Sequence, residues 1–239
     1  MTSNARLGID IGGTFTDLAL EVGQQHFAHK LLTTPRAPER AVISGVRRIL
    51  SEAGIEPDAL SLIIHGTTLA TNAIIERKGA RTALLVTEGF RDSVEMAYEN
   101  RFEQYDLEIE RPKPLVPRYL RWPVSERMGP AGQIWTALDE AGVRGLLPKL
   151  KEEKIESVAI GFLHAYANPA NECRAAEIIS ATRPDLSISL SSEVCPEVRE
   201  YERLSTTCAN AYVQPLMSRY LLELEAELKN IGIACPLLL

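Results

Sequence analysis

The stretch that decides the fold is LGIDIGGTFTDLAL, residues 7–20. Apolar, β-prone residues flank a polar centre that carries glycines, threonines and aspartates. The pattern predicts two strands, Leu7–Ile11 and Leu18–Val22, joined by a tight turn over the letters GGTFTD. Such a turn is either a structural hairpin or a loop that binds a ligand, and the residues after it bear on the choice.

The segments that follow alternate between strand and helix patterns. HFAHKLL (residues 26–32) predicts a third strand, and the apolar residues between Val42 and Leu50 fall on one helical face. LSLIIHG predicts a buried strand, ATNAIIERKG a short helix that ends at Gly79, and RTALLVT another buried strand. Three successive strands followed by alternating helices and strands favour a mixed α/β sheet over a purely parallel one.

The middle of the chain is less regular. The proline-rich segment ERPKPLVPRYLRWP predicts an extended connection, because proline is excluded from helix interiors. RWPVSERM and GQIWTAL predict a hairpin around Gly129–Gly132. LDEAGVRGLLPKLKEEK predicts an amphipathic helix and ESVAIGFLHAY a buried strand.

The last third predicts two more helices around one strand. The first has Asn168 as N-cap and Pro169 at its first helical position. SISLSSEV predicts a strand, and a long helix runs from Glu197 to Asn230 with a kink at Pro215. The final letters PLLL read as the beginning of a strand, so we expect the chain to be part of a longer protein.

Composition limits the class of protein. The 239 residues are 45% hydrophobic and 24% charged, with a net charge of −6. This balance is typical of a soluble globular protein, and it disfavours nucleic-acid binding. No segment has the pattern of a signal peptide or a membrane span, and the four widely spaced cysteines predict reduced, mostly buried thiols. We therefore expect a cytoplasmic protein without a membrane partner.

The opening turn carries groups that suit phosphate. Gly12 and Gly13 lack side chains, so that backbone N–H groups can approach phosphate oxygens, and Thr14 and Thr16 add hydroxyl donors. Asp10 at the end of the first strand suits Mg²⁺, because a carboxylate facing phosphates needs a metal between them. Asp17 can support that metal shell, or orient a water or a substrate hydroxyl.

Other phosphate loops are excluded by pattern. The sequence contains no G-x-x-x-x-G-K-[ST] motif and no G-x-G-x-x-G motif that opens a helix, which leaves a strand–turn–strand phosphate hairpin. A purely structural hairpin, with glycine for the turn and aspartate for local hydrogen bonds, remains the alternative.

A second stretch, HGTTLATNAIIERKGARTALLVTEGFRD (residues 65–92), lies at a strand end and leads into a helix. With DIGGTFTD it resembles the N-terminal part of the hydantoinase A / 5-oxoprolinase family, in particular the N-methylhydantoinase A branch. The resemblance continues through ENRFEQYDL, PLVPRYLR, VAIGFLHAYANP and LSSEVCPEVREYERLSTTCANAYVQP, in the family's order.

The resemblance implies an actin-like ATPase (ribonuclease H-like) fold with ATP between two lobes. It also implies ATP-dependent opening of a cyclic amide by phosphorylation of the amide oxygen, with Mg²⁺, and a hydantoinase B-type partner subunit or domain. On this basis we expect the family's N-terminal domain over residues 5–195 and the start of its main domain over residues 196–239. We also expect the chain to supply only the first half of an ATP site and to be inactive alone.

The resemblance also implies site residues. The candidate catalytic residues are Asp10, Asp17 and His65, with Asp10 also the candidate metal ligand. The candidate nucleotide-binding residues are Gly12, Gly13, Thr14, Thr16, Gly66, Thr67, Thr68 and Asn72. Two alternatives remain: a buried, hydrogen-bonded role for His65, and helix capping for Thr67, Thr68 and Asn72.

Weaker candidates and other functions stay open. Arg91 and Asp92 are equally consistent with a surface ion pair, and Glu200–Arg203 with a solvated helix face or an inter-lobe brace. YENRFEQY (residues 98–105) is consistent with a cyclic-amide pocket or a partner contact. The alternative functions are a subunit of an ATP-dependent ketone carboxylase and a small-molecule kinase of the same fold.

Overall fold

The computed structural model describes residues 5–34, 37–98, 105–109 and 112–239. The strands are β1 Ala5–Ile11, β2 Phe15–Val22, β3 Gln25–Leu32, β4 Leu60–Thr67, β5 Thr82–Thr87, β6 Arg121–Val124, β7 Arg127–Met128, β8 Ile134–Thr136, β9 Ser157–Gly161, β10 Ser187–Leu190 and β11 Leu237–Leu238. The α-helices are α1 Pro38–Ala53, α2 Leu69–Ile75, α3 Ser93–Met96, α4 Glu140–Glu152, α5 Ala170–Thr182, α6 Ser191–Val194 and α7 Glu200–Asn230. Short 3₁₀ helices occupy Pro57–Ala59 and Arg118–Leu120.

The chain divides into two compact units, each with its own sheet and core. Unit 1 comprises Met1–Glu76 and Leu216–Leu239, and unit 2 comprises Arg77–Pro215. The sheet of unit 1 has the strand order β11-β4-β1-β2-β3. The strands β1, β2 and β3 pair antiparallel, whereas β4 pairs parallel with both β1 and β11. The predicted mixed sheet and the predicted order of its first elements are confirmed.

The hairpin between β1 and β2 is tighter than the sequence predicts. Ile11 pairs with Thr16, and Asp10 pairs with Asp17. The predicted turn over GGTFTD is therefore wrong in extent, because Phe15, Thr16 and Asp17 already lie in β2. Asp10 and Asp17 therefore lie directly opposite each other on β1 and β2. A looser turn would have separated these two aspartates.

One face of the unit 1 sheet is buried and the other is open. Helix α1 begins at Pro38 and ends at Gly54, whose left-handed φ of 66° suits glycine. Its residues Val42, Val46 and Ile49 belong to the buried core. The prediction that LSLIIHG is a buried strand holds for one face only, because burial alternates along β4 and Ile64 is 52% exposed. Burial of every second residue is expected for a strand in a sheet that is covered on one face only.

The sheet of unit 2 has the order β10-β9-β5-β6, with every pairing parallel. All residues of β5 and β9 are buried, as the predicted buried strand RTALLVT requires. The predicted amphipathic helix is confirmed as α4, whose N-cap Asp139 accepts a hydrogen bond of 2.9 Å from the Gly142 N–H. The long predicted helix is also confirmed, and α7 continues through Pro215.

Several predicted boundaries in unit 2 are wrong for local reasons. The strand ESVAIGFLHAY ends at Gly161, and SISLSSEV turns from strand into α6 at Ser191. The buried Glu172 carboxylate lies at both points: it accepts hydrogen bonds from the Phe162 N–H and from the N–H and hydroxyl groups that follow β10. Burial raises the pKa of Glu172, and these donors oppose that shift.

Three further predictions need correction. Asn168 is not the N-cap of α5, because Pro169 occupies that position and Asn168 Oδ1 instead accepts from the Ala170 N–H. The predicted hairpin shrinks to β7 and β8, because the RWPV segment pairs parallel with β5. The cysteines are all free, but Cys208 is the buried one and the others are half-buried, so "mostly buried" was wrong.

Candidate functional site

Two rows of side chains cross the open face of the unit 1 sheet. The strand register places one row at Gly66, Asp10, Asp17 and Lys30, which we call the charged row. The next row, one strand period away, is Ile64, Gly8, Ala19 and Ala28, which we call the small row. A shallow cavity of about 600 Å³ is lined mainly by these two rows.

The charged row is not neutralised evenly. Lys30 Nζ lies 2.8 and 2.9 Å from the two carboxylate oxygens of Asp17. Asp10 stands directly opposite Asp17, and like charges in that position repel. No ion pair or hydrogen bond among the described residues uses the Asp10 carboxylate. Asp10 is therefore the member of this row that a cation would stabilise most.

The turn of the hairpin offers free backbone donors. The Gly12 N–H donates to the Phe15 carbonyl at 2.9 Å and closes the turn. Gly13 and Thr14 are exposed, and no hydrogen bond within the described ranges uses their N–H groups. These two amides and the Thr14 hydroxyl can donate to an anion, as the sequence predicts.

Thr33 holds this turn from behind. Its N–H donates to the Thr14 carbonyl at 2.9 Å, and its hydroxyl donates to the Gly12 carbonyl at 3.0 Å. The Thr16 hydroxyl lies 2.9 Å from the Thr33 hydroxyl, and Thr16 is fully buried. Thr16 thus lies behind the turn and braces it, whereas Gly13 and Thr14 lie at its surface. Thr33 is not identifiable from the sequence, because nothing in its local pattern marks a long-range contact.

The end of β4 lies beside the turn. The Thr68 N–H donates to the Ile11 carbonyl at 3.0 Å, and Asn72 Nδ2 donates to the Thr68 hydroxyl at 3.2 Å. A Cβ placed on Gly13 would lie 3.2 Å from Asn72 Nδ2, so the glycine brings the turn and this amide side chain together. The Thr67 hydroxyl accepts from the Leu69 N–H at 3.2 Å, a capping contact at the start of α2.

His65 lies on the opposite, buried face of β4. It is 2% exposed, and its Nε2 lies 2.8 Å from the Tyr220 hydroxyl of α7. Burial lowers the pKa of His65, and the nearby Ile9 carbonyl and Asp10 carboxylate offset this in part. The structure therefore does not bring His65 to the open face with Asp10 and Asp17, and the buried alternative describes its position.

The residues around Asp10 fit a phosphate-bound divalent cation. A Cβ placed on Gly66 would lie 3.2 Å from Asp10 Oδ1, so glycine at this position keeps the carboxylate accessible. An unpaired carboxylate next to free backbone amides is an oxygen ligand for Mg²⁺ beside donors for phosphate oxygens. Asp10 would hold the metal, and Gly13 and Thr14 would hold phosphate oxygens, whereas the N–H and the hydroxyl of Thr68 both donate to the Ile11 carbonyl.

The weaker candidates have structural partners. Arg118 binds both oxygens of Asp92 at 2.8 and 2.9 Å, and this hydrogen bonding lowers the pKa of Asp92. Arg91 donates to the Arg118 carbonyl at 2.8 Å. Arg203 is fully buried and donates to the carbonyls of Glu197 and Phe162, so this residue does not lie on a solvated helix face.

The segment YENRFEQY lies largely outside the described residues. Of its ends, Tyr98 makes an edge-to-face contact with Tyr201, with ring centroids 4.9 Å apart, and donates to Glu202 at 3.1 Å. Lys30 is likewise not identifiable from the sequence as a neighbour of Asp17, because only the register of β2 with β3 brings the two together.

The structure has the fold that the resemblance implies, an actin-like ATPase (ribonuclease H-like) type of lobe with a mixed sheet. The strand order, with an antiparallel β1–β3 meander followed by parallel β4, places the turn at the carboxyl edge of β1. The chain matches the hydantoinase/oxoprolinase N-terminal region over residues 6–182, and it belongs to this family.

Named relatives cover nearly all of the chain. The chain is 37% identical over 238 residues to caprolactamase subunit alpha of Pseudomonas jessenii, covering 97% of this chain and 34% of the relative. It is 32% identical over 268 residues to the 5-oxoprolinase of Saccharomyces cerevisiae, covering 95% of this chain and 21% of that protein. The chain thus spans about a third or less of the length of these relatives.

Two solved structures share the fold. The ATP-dependent caprolactamase from Pseudomonas jessenii matches with a TM-score of 0.88 and 36% identity, over 97% of this chain and 35% of that one. A nucleotide-free acetone carboxylase matches with a TM-score of 0.83 and 27% identity, over 96% of this chain and 35% of that one. In the described part of this chain, no helix is both long and apolar enough to cross a membrane.

Proposed function

We propose that this chain supplies the first phosphate-binding half of the ATP site in an enzyme that opens a cyclic amide at the expense of ATP. The observation that carries the proposal is the hairpin: no partner among the described residues uses the Gly13 and Thr14 amides of its turn or the Asp10 carboxylate near the end of β1. Relatives named ATP-dependent caprolactamase and 5-oxoprolinase support the reaction class.

The chemistry explains why ATP is needed. An amide carbonyl is a poor electrophile because its nitrogen donates electron density into it. Transfer of the γ-phosphoryl group to the amide oxygen releases ADP and leaves the ring carbon open to attack by water. The tetrahedral adduct then expels the ring nitrogen, which takes up a proton, and leaves an acyl phosphate. A second water hydrolyses this acyl phosphate, so that the products are the ring-opened amino acid, ADP and phosphate. Phosphoryl transfer of this kind depends on positioning and charge neutralisation.

The residues of this chain have distinct roles in that scheme. The Gly13 and Thr14 amides donate to phosphate oxygens, and Thr33 keeps the turn in the geometry that exposes them. Asp10 would hold Mg²⁺, which neutralises phosphate charge when it is bound. Thr68 and Asn72 present further polar groups beside the turn. His65, buried against Tyr220, positions β4 instead of exchanging protons with substrate.

The test is phosphate release from Mg·ATP by the purified protein with any subunits that co-purify, with and without cyclic amides. We expect release to rise with at least one ring compound and to fall at least about 100-fold in Asp10→Ala, a loss in the range of removing an electrostatic contact to the transition state. The control is Glu52→Ala, which removes an exposed ion pair of α1 with Arg48. Release that no cyclic amide stimulates would contradict the proposal.

A ketone carboxylase subunit is the second candidate. Its support is the TM-score of 0.83 with acetone carboxylase, together with 31% identity to the acetophenone carboxylase gamma subunit of Aromatoleum aromaticum. A phosphorylated enol and a phosphorylated amide differ in the group that receives phosphate, so the same hairpin serves both. ATP turnover that depends on a ketone and bicarbonate, and on no cyclic amide, would favour this function.

A further inference from the structure

We propose that Thr33 is a positioning residue for ATP, because its hydroxyl sets the direction in which the Gly13 N–H points. This inference rests on the function proposed above and adds a side chain that acts on the nucleotide without touching it. The contacts that carry it are internal to unit 1. They join Thr33 to the Gly12 carbonyl and to the Thr16 hydroxyl, and both threonines are buried.

The Gly12 carbonyl and the Gly13 N–H belong to the same peptide unit. A peptide unit is planar, and those in the described ranges are trans, so its C=O and its N–H point in opposite directions. The Thr33 hydroxyl donates to the Gly12 carbonyl at 3.0 Å from behind the turn. A carbonyl held in this direction turns the Gly13 N–H away from Thr33, to the side of the turn where the proposed function places phosphate.

The hydrogen bonds of the Thr33 hydroxyl have one consistent direction. A hydroxyl group has a single proton to donate, and a backbone carbonyl only accepts. The proton of Thr33 is therefore used on Gly12, and the Thr16 hydroxyl, 2.9 Å from the Thr33 hydroxyl, is the donor in the contact between them. Hydrogen bonds in such a chain strengthen one another, so Thr16 reinforces the hold of Thr33 on the turn.

The peptide units on either side are held by separate contacts. The Thr33 N–H donates to the Thr14 carbonyl at 2.9 Å. From the end of β4, the N–H and the hydroxyl of Thr68 donate to the Ile11 carbonyl at 3.0 and 3.2 Å. The path of the chain before and after the Gly12 carbonyl is thus fixed without the Thr33 hydroxyl. Loss of this hydroxyl alone should therefore change the orientation of one peptide unit and leave the hairpin in place.

A donor that is oriented in advance contributes more to phosphoryl transfer than one that must be turned into place. Fixed dipoles stabilise developing charge without reorganisation during the reaction. Valine has the shape of threonine but no hydroxyl, so Thr33→Val frees the Gly12 carbonyl to rotate, and the Gly13 N–H rotates with it. Serine keeps the hydroxyl, so Thr33→Ser should preserve the orientation.

Thr82 in unit 2 provides a matched control. Its side chain is also buried, and its hydroxyl donates to a backbone carbonyl, that of Ala80, at 2.9 Å. Thr82→Val therefore removes the same kind of hydrogen bond from a segment that is not part of the hairpin. It reports what the loss of a buried threonine hydroxyl does to folding in general.

The experiment measures phosphate release and Mg·ATP binding by the purified protein with any subunits that co-purify. In Thr33→Val we expect the kcat of ring-stimulated release to fall about 10- to 100-fold, the effect of misplacing a group in the reaction. The Kd for Mg·ATP should rise about 10-fold, as for a weakened hydrogen bond to a charged group. Thr33→Ser should restore both values. Thr82→Val should lower the unfolding midpoint as Thr33→Val does and leave kcat and Kd unchanged.

A double variant tests whether Thr16 acts through Thr33. Thr16→Val alone should lower kcat less than Thr33→Val does. Combined with Thr33→Val it should add no further loss, because the contact through which it acts is already gone. Independent, additive losses would overturn the chain of hydrogen bonds from Thr16 to the turn.

The outcomes separate this inference from the proposed function. Loss of kcat in Thr33→Ser as large as in Thr33→Val, or equal losses in Thr33→Val and Thr82→Val, would overturn the role of Thr33 and leave the proposed function intact. Absence of ring-stimulated release would overturn the proposed function. The Kd for Mg·ATP then decides: a rise in Thr33→Val that Thr33→Ser reverses supports the role of Thr33. An unchanged Kd, or no Mg·ATP binding by the wild type, overturns it.

Discussion

His65 shows how burial changes the role of a single residue. Its position in HGTT, at a strand end, suggests contact with ligand, but its register opposite Ile9 turns the imidazole into the core beside Tyr220. One residue further, Gly66 faces the open side next to Asp10. The alternation of side chains along a strand therefore separates two neighbours into a structural and a site position.

This burial makes stability depend on pH. The folded protein lowers the pKa of His65 below 6.5 because burial disfavours the charged ring, so the unfolded chain binds more protons below that pH. The stabilisation is fully present above pH 6.5 and is lost as the pH falls through the lowered pKa. In His65→Gln we expect unfolding free energy to drop by about 1–3 kcal/mol at pH 7.5 and to depend less on pH between 6.5 and 5.

The measurement is denaturant unfolding of both proteins at several pH values across that window. The other three histidines are present in both proteins, so the difference between the two curves isolates His65. Identical pH slopes in wild type and His65→Gln would show that the imidazole is not kept neutral by the fold.

At the scale of elements, the sequence predicts local order better than long-range placement. The strands β1 to β5 and the helices between them follow from hydrophobic periods and turn residues. Two features do not follow from such patterns. The register that joins Asp17 to Lys30 depends on how tightly each hairpin turns, and the ends of β9 and β10 lie at the carboxylate of Glu172, a residue of a distant helix.

The same contrast between local pattern and long-range placement applies to the site residues. Asp10, Gly13 and Thr14 were identifiable because phosphate chemistry favours those residue types in a turn. Thr16 fits the same chemistry but lies behind the turn, because the strand begins at Phe15 and its alternation buries Thr16. Composition at a motif thus gives the chemistry of a site, whereas the strand boundary decides which of its side chains reach the ligand.

The approach of α7 to the segment before β5 leads to a prediction at this scale. The Ala80 N–H donates to the Tyr212 carbonyl at 2.8 Å, and a Cβ on Gly79 would lie 2.2 Å from the Tyr212 ring and 2.6 Å from that carbonyl oxygen. Because backbone cannot give way as a side-chain tip does, we expect Gly79→Ala to cost about 2–3 kcal/mol of stability. The measurement is thermal and urea unfolding.

The matched control for that variant is Gly145→Ala in α4. A Cβ there meets nothing within 4 Å, and alanine favours a helix over glycine by up to about 1 kcal/mol. We therefore expect opposite signs for the two Gly→Ala changes. If Gly79→Ala leaves the midpoint unchanged, α7 does not approach this segment as closely as the contacts indicate.

At the scale of the whole molecule, α7 serves both units. Leu204, Cys208 and Ala211 belong to the core of unit 2, whereas Tyr220, Leu224 and Leu228 belong to the core of unit 1. The helix therefore buries residues for two separate cores along its length, and no single apolar stripe runs through it. Its length was predictable from helix-forming residues, but its division between two cores was not.

The last prediction concerns nucleotide binding by a polypeptide of these 239 residues. The resemblance implies that ATP binds between two lobes, and the hairpin accounts for phosphate contacts alone. We expect Mg·ATP to bind with a Kd on the order of 1 mM, which corresponds to about 4 kcal/mol, and to turn over no faster than without protein. Isothermal titration and phosphate release measure the two quantities, with Asp10→Ala as the control for specific binding. Efficient steady-state turnover by this polypeptide would show that the proposed half-site is a complete ATPase site.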